Sequence, residues 1–406
     1  MKIGIVTAYD EHEANSEYSK ALKEEFERQG HSVEILRLPF SIFLVPSYSM
    51  QKLAEHLIDE MVEKIKHLDY INIQFEIGLF GTNCKDVMRR MNKIFSVCKE
   101  NSFSLTLHSQ VHFDTKKIKK SPLKTFFAKL KKRSLPFTQG NIQRLLYQVL
   151  SNVVAKKGLI ITHTIRARNG VLSAFPTANI QAFPLCYKQL ADIKKQKDAF
   201  DITHYKKEKG LILDKNTKII GVLGAFTPWK DLLTCVKALL LLPENFHLFF
   251  FGGQHYMDIK YSPQGLERIS ALQEQIFTLG LPKRVHFMGF QATSDDMFKA
   301  HLFCDYIILP YTEVGEDGSG SASNALETCE NVFMTRNYTF DELKKFTGES
   351  FFSFDMGNWM ELAEKIKSLP DKQTILKNRE LYFEKYNMEN MVKMYLSVLT
   401  DERIKK

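Results

Sequence analysis

Apolar residues fall into short runs at regular intervals, and the spacing between runs alternates between two periods. Lys2 to Thr7 (KIGIVT) reads as a buried strand, after which Tyr18, Ala21, Leu22 and Phe26 recur at helical spacing up to Gly30, a residue suited to ending a helix. HSVEILRL is the next strand, followed by a helix near Gln51 to His67, a strand DYINIQF, a helix over about Cys84 to Lys99, and the strands FSLTLH and GLIITH. Strands rich in Ile, Leu and Val separated by helices predict a parallel sheet covered on both faces, with ligands at the carboxyl ends of the strands.

The sequence then turns polar and Lys-rich between about Lys194 and Asn216, as expected of a linker, and the alternation restarts. KIIGVLGAF, FHLFFFGG, RVHFMGF, YIILPY and VFMT read as strands, with helices over Trp229 to Leu242, Gly265 to Leu279 and the stretch ASNALETCE. The pattern predicts an α/β chain of two Rossmann-like domains facing a cleft. The expected boundaries are 1–200, 201–380 and a C-terminal segment, 381–406, that crosses back onto the first domain. Within it, Leu381, Met391, Met394 and Tyr395 are expected to pack.

Composition narrows the class. A chain of 406 residues with 44% hydrophobic content supports two cores. The six cysteines are scattered without a C-x-x-C pair, which argues against a disulfide framework or zinc knuckle and fits a reducing compartment. Met1 leads almost directly into the first strand, leaving no room for a signal peptide, and no apolar run approaches the ~20 residues that span a bilayer. The expected location is cytoplasmic, peripheral on the inner face of the membrane at most. The net charge of +9 is concentrated: Thr115 to Phe137 holds eight Lys and one Arg and no acid. Interleaved Leu and Phe residues suit contact with an anionic bilayer, a solvated loop is the alternative, and no recognised nucleic-acid module accompanies the charge.

Candidate chemistry centres on Asp305 to Thr335. There a strand leads through a Gly/Ser loop with three acids (TEVGEDGSGS) into a helix, an arrangement that aims backbone N–H groups and a helix dipole at one point and so forms a candidate phosphate cradle. Glu316 lies eight residues before Asn324, where both side chains can address a sugar nucleotide. Lys230, just past the strand ending near Gly224, can offer a point charge to a diphosphate. His108 ends a strand. Gln74 and Glu76 end the preceding one, and His163 stays unassigned. No D-x-D triplet, Cys/His spacing or H-E-x-x-H element suggests a metal.

These motifs, in this order, resemble those of the GT-B glycosyltransferases, most closely the retaining family 4 of glycosyl transferases, over nearly the full chain. VLGAFTPWKDLLTCVKALLLLPENFHLFFFGG looks like that family's strand, Lys-containing helix start and glycine-ended strand. RVHFMGF resembles its base-binding strand, YIILPYTEVGEDGSGSASNALETCENVFMT its phosphate and ribose region, and INIQFEIGLFG with LTLHS its Q-x-E and L-H-S strand ends. The resemblance implies transfer of a sugar from a nucleoside diphosphate sugar to an acceptor hydroxyl with retention, without a metal or other cofactor. His108, Lys230 and Glu316 would be catalytic. Gly224, Thr227, Phe290, Gly318, Ser319, Gly320, Ser321, Asn324 and Glu327 would bind the donor, and Asn15, Glu17 and Glu76 the acceptor, a glycan or membrane-associated glycolipid.

Three departures stand out. Ala225 occupies the place of a common Arg, the first β-α loop lacks glycine, and the family's second Glu falls on Asn324 in one register and on Glu327 in another. A catalytically inactive binding protein of the same fold and a nucleotide-sugar epimerase are the rival readings.

Overall fold

The computed structural model describes residues 1–9, 14–108, 135–253, 264–291, 293–312 and 317–403. The chain divides into two compact units: Met1–Tyr187 joined by Met388–Lys406, and Lys188–Asn387. These divisions compare with expected boundaries at 200 and 380. The basic segment 115–137 lies outside the described residues except for its last three.

The first unit runs β1 (Lys2–Thr7), α1 (Ala14–Arg28), β2 (Ser32–Arg37), α2 (Phe40–Phe43), α3 (Tyr48–Ile65), β3 (Tyr70–Phe75), α4 (Cys84–Val97), β4 (Phe103–Leu107), α5 (Gln139–Ala155), β5 (Leu159–Thr162), α6 (Ile165–Ala174) and β6 (Ile180–Ala182). Its strands form a parallel sheet in the order β2-β1-β3-β4-β5-β6. Alternation along β3 and β4 gives the sheet two different faces. Ile71, Ile73 and Phe75 with Phe103, Leu105 and Leu107 enter an apolar core with Ile58 of α3 and Met91 of α4. Tyr70, Asn72 and Gln74 with Ser104 and Thr106 carry the opposite parity, and all but Tyr70 are polar groups fully withdrawn from solvent.

The second unit runs α7 (Leu190–Ala199), α8 (Ile202–Glu208), β7 (Lys218–Leu223), α9 (Leu232–Ala238), β8 (Phe246–Phe251), α10 (Gln264–Thr278), β9 (Val285–Phe287), α11 (Ser294–Phe303), β10 (Tyr306–Leu309), α12 (Gly320–Thr328), β11 (Asn331–Thr335), α13 (Tyr338–Thr347), β12 (Phe352–Phe354), α14 (Trp359–Ser368) and α15 (Lys372–Lys385). A last helix, α16 (Met388–Arg403), belongs to the first unit and packs on α1. The sheet of the second unit is also parallel, in the order β12-β11-β10-β7-β8-β9. Leu248 and Phe250 of β8 pack on one face, Phe249 and Phe251 on the other.

Several expectations change. The Lys-rich stretch read as a linker holds α7 and α8: Asp201 caps α8 by accepting from the Thr203 and His204 N–H groups, and Tyr205 is buried against Phe303. Its lysines are the solvated faces of short helices. The helix expected to begin at Trp229 begins at Leu232, because Asp231 caps it through the Thr234 N–H. Leu381 is 55% exposed rather than packed.

Candidate functional site

In the order β12-β11-β10-β7-β8-β9, connections leave β7 and β10 in opposite directions, so their carboxyl ends open a crevice at the switch between them. The loops after the two strands are tied together there. Lys230 pairs with Tyr311 as an isolated antiparallel bridge, the Asp231 N–H donates to the Pro310 carbonyl at 2.8 Å, and the Thr312 N–H to the Trp229 carbonyl at 2.7 Å. Lys230 therefore lies in a short bridge ahead of α9 and not in its first turn.

The ammonium of Lys230 donates to the Leu223 carbonyl at 2.9 Å and stands 5.5 Å from the centre of the Tyr311 ring. Gly224 makes room for it. With φ at +92°, Gly224 adopts a conformation that L side chains rarely take, and a Cβ there would lie 3.0 Å from Lys230 Nζ and 3.5 Å from Ser321 Oγ. Lys230 and the first turn of α12 thus meet against the same glycine. Gly252 is equally constrained, since its Cβ would fall 2.0 Å from the Gly224 carbonyl oxygen.

Ser319 caps α12 by accepting from the Ala322 N–H at 3.2 Å and also donates to the Tyr311 hydroxyl at 3.4 Å. Gly320 and Ser321 belong to the helix's first turn instead of the loop. Lys230, Gly224, Tyr311, Ser319 and Ser321 form one constellation. Its positive potential reaches His301, whose pKa falls to about 3 through burial first and the Lys230 cation second.

Beside it, a cavity of about 380 Å³ is lined by Thr227, Lys230 and Asp231 from the β7 loop, Thr312, and Arg268 and Gln275 of α10. The Thr227 hydroxyl is buried with no hydrogen-bond partner among the described residues, which marks a place for a ligand or water. Tyr311 and Arg268 were not among the expected site residues. Arg268 carries a weak signal, a cation in the helix after a glycine-ended strand, whereas nothing in the chain's local pattern distinguishes Tyr311.

The other donor candidates spread further. Phe290 follows β9, two strands from β7, and is 53% exposed. Asn324 is half-buried in the middle of α12, while Glu327, a turn later, is 5% exposed and accepts from the Lys188 N–H at 3.4 Å. Gly318 precedes the Ser319 cap with Asp317 buried before it. Glu316 lies outside the described residues.

In the first unit the corresponding switch lies between β1 and β3. Asn15, buried in the first turn of α1, donates through Nδ2 to Glu76 Oε2 at 2.9 Å, joining two of the acceptor candidates. Desolvation raises the Glu76 pKa against the lowering effect of that bond. Glu17 turns instead to Lys20, at 3.0 Å.

His108 follows β4, its N–H donating to the Phe75 carbonyl and its Nε2 lying 2.7 Å from Gln74 Oε1. Its ring centre is 5.0 Å from that of His163. Burial, then His163, hold the His108 pKa well below the usual histidine value. Among the described residues no group of three or more His, Cys, Asp or Glu side chains is placed to hold a metal ion, and no helix is long and apolar enough to cross a membrane.

Residues 204–402 match the family model of the glycosyl transferases group 1. No curated protein matches the chain. Among solved structures, Alr3699/HepE of Anabaena in complex with UDP is 16% identical, covering 99% of this chain and 100% of that one at a TM-score of 0.63. The trehalose-6-phosphate synthase OtsA is 10% identical over 98% and 99% of the two chains, with a TM-score of 0.68. WaaG, a glycosyltransferase involved in lipopolysaccharide biosynthesis, is 13% identical over 98% and 99%, with a TM-score of 0.58.

Proposed function

From the premise of a glycosyltransferase with the GT-B fold, which the family match and the likeness to solved structures support, we propose that this chain takes a sugar from a nucleoside diphosphate sugar and passes it, with retention, to an acceptor hydroxyl. One observation carries the reading: an ammonium, Lys230, and the N-terminal turn of α12 converge on Gly224 at the carboxyl ends of β7 and β10. A cation and a helix N-terminus together suit a group whose negative charge grows as a bond breaks.

In this reading the β-phosphate rests against Lys230, Ser321 and the amides of α12. The bond from the anomeric carbon to the phosphate oxygen breaks while the acceptor oxygen bonds on the same face, its proton passing to the departing phosphate. The resemblance assigns Glu316 and His108 to the donor sugar, Phe290 to the base and Asn324 or Glu327 to the ribose. Asn15 and Glu76, already paired, address the acceptor. HepE structures hold UDP and UDP-glucose, which makes a uridine nucleotide the first donor to try. The density of cations in 115–137 favours an acceptor at an anionic membrane surface.

A thermal-shift series of UDP-, GDP- and ADP-sugars on the wild type and on Lys230→Ala tests the core of this reading. One nucleotide series should stabilise the wild type by about 2.7 kcal/mol at a concentration 100 times its dissociation constant. Most of that stabilisation should disappear in the variant. Equal stabilisation of both proteins would remove Lys230 from the site, and stabilisation by no nucleotide sugar would overturn the donor assignment.

A further inference from the structure

The buried polar stripe of the first unit has a direction, and it ends on His108. Asn72, Gln74, Ser104 and Thr106 sit opposite one another in register on β3 and β4, fully removed from water, a costly arrangement unless each group is satisfied. Asn72 Nδ2 donates to Ser104 Oγ at 2.9 Å, so its Oδ1 is the acceptor end, and it takes a bond from Gln74 Nε2. Gln74 Nε2 also reaches Thr106 Oγ1 at 3.5 Å. The Thr106 hydroxyl is 2.6 Å from the Tyr395 hydroxyl, which in turn lies 3.2 Å from that of Tyr18. The Tyr70 hydroxyl donates to the Tyr395 carbonyl at 3.0 Å and fixes that turn of α16.

These partners decide which end of the Gln74 amide faces His108. Its amino end is taken up by Asn72 and Thr106. Either hydroxyl of the Thr106–Tyr395 pair can donate, and with the Thr106 proton turned to Tyr395 the Thr106 oxygen is left only to accept from Gln74. The carbonyl end is left for His108, which must then donate from Nε2. An imidazole with its proton on Nε2 presents Nδ1 as an acceptor, and no described residue donates to that atom. His163 repeats the constraint alongside: its Nδ1 lies 3.0 Å from the Phe183 carbonyl, which only a proton on Nδ1 satisfies.

We propose that Tyr395, on the C-terminal helix, is a positioning residue that acts through Thr106 and Gln74 to hold His108 as the Nε2–H tautomer, so that its Nδ1 selects a donor sugar bearing a hydroxyl there over one bearing a carboxylate. The sugar preference rests on the function proposed above; the tautomer does not. A hydroxyl donates to the lone pair, whereas a carboxylate opposes it with its own and finds no positive charge on either imidazole. Both rings stay neutral because burial lowers their pKa values, that of His163 to about 4.

The test begins with ligand-free protein labelled with ¹⁵N-histidine, His108 being assigned by its absence in His108→Asn. In the wild type, long-range proton–nitrogen spectra should show His108 protonated on Nε2 and bare on Nδ1. Tyr395→Phe and Thr106→Val, which keep the packing volume, should mix the tautomers and lower kcat about tenfold or more. Gln74→Glu puts an acceptor-only carboxylate beside the ring, so His108 should take a second proton near neutral pH. With the base selected by the thermal-shift series, turnover of a uronate donor should then rise relative to its hexose counterpart.

A wild-type proton on Nδ1, or a Tyr395→Phe protein with unchanged tautomer and kcat, overturns the relay. Wild-type preference for the uronate overturns the sugar selection. Absence of stabilisation by any nucleotide sugar overturns the function and the sugar preference with it, while the ligand-free spectra still decide the relay.

Discussion

At the scale of single residues, Lys230 and Gly224 act as a pair. A Cβ at Gly224 would stand 3.0 Å from the ammonium and push it by a few tenths of an ångström, and the φ of +92° there is one that L side chains rarely adopt. In the proposed reaction Lys230→Ala removes a charge beside the leaving group, and turnover should drop by about 10²–10³-fold, the usual loss for one oxyanion-stabilising donor. Gly224→Ala keeps the charge but displaces it, so steady-state kinetics should show a higher KM and a lower kcat in a protein that still folds. Wild-type kinetics in both variants would take the constellation out of catalysis. Lys230 is legible in the sequence as a cation just after a strand-end glycine. Its ring partner Tyr311 is not, because the bridge joining them brings together loops eighty residues apart in a way that only the strand order determines.

At the scale of elements, the alternation of apolar runs marks most strands and helices, since a parallel sheet buried on both faces needs Ile, Leu, Val and Phe at nearly every position. The same rule hides the exception. Y-x-N-x-Q on β3 and S-x-T on β4 form a polar stripe, but within runs this apolar they read simply as strand, and Tyr395 reads from its spacing as a packing residue. Only the structure shows α16 closing the stripe with a hydroxyl. Short charged helices such as α7 and α8 are missed for the opposite reason, their few buried residues being outnumbered by solvated lysines. The α3–α4 pair carries a clearer signature. Arg90 is fully buried and donates to the Phe80 carbonyl at 2.7 Å, to Gln51 Oε1 at 2.9 Å and to Glu55 Oε1 at 2.7 Å. Desolvation pushes the Glu55 pKa up, but the bonds from Arg89 and Arg90 outweigh it and leave the pKa at about 2. Glu55→Gln leaves the buried guanidinium its neutral acceptors but removes its counter-charge, and should cost about 3–5 kcal/mol in chemical unfolding. A loss below 1 kcal/mol would show that Glu55 behaves as a surface partner.

At the scale of the whole molecule, buried histidines in both units make stability depend on pH well above the carboxylate range. Burial lowers the pKa of His163, in the first unit, to about 4 against the donated bond to Phe183, and that of His301, in the second, to about 3. Below the ordinary value of 6.5 the unfolded chain binds protons that the folded chain refuses, so stability falls as pH drops from 6.5 toward those values. Each group should cost about 2 kcal/mol by pH 5, at about 1.4 kcal/mol per unit. Glu55 and Glu361, both with pKa values of about 2, contribute in full above 4.5 and lose that contribution progressively as pH falls from 4.5 to about 2, so their decline extends the one the histidines begin. Unfolding by urea at pH 7 and pH 5, followed by circular dichroism, measures the upper step. His163→Asn preserves a donor to the Phe183 carbonyl but cannot titrate, and should recover about 2 kcal/mol of the loss between those pH values. Both tryptophans, Trp229 and Trp359, lie in the second unit, so fluorescence should keep in the same variant the pH dependence set there by His301 and by His286, whose pKa burial and His247 lower to about 4. An unchanged pH dependence of the dichroism in His163→Asn would mean that the His163 ring is already protonated, or already solvated, when the protein is folded at pH 5.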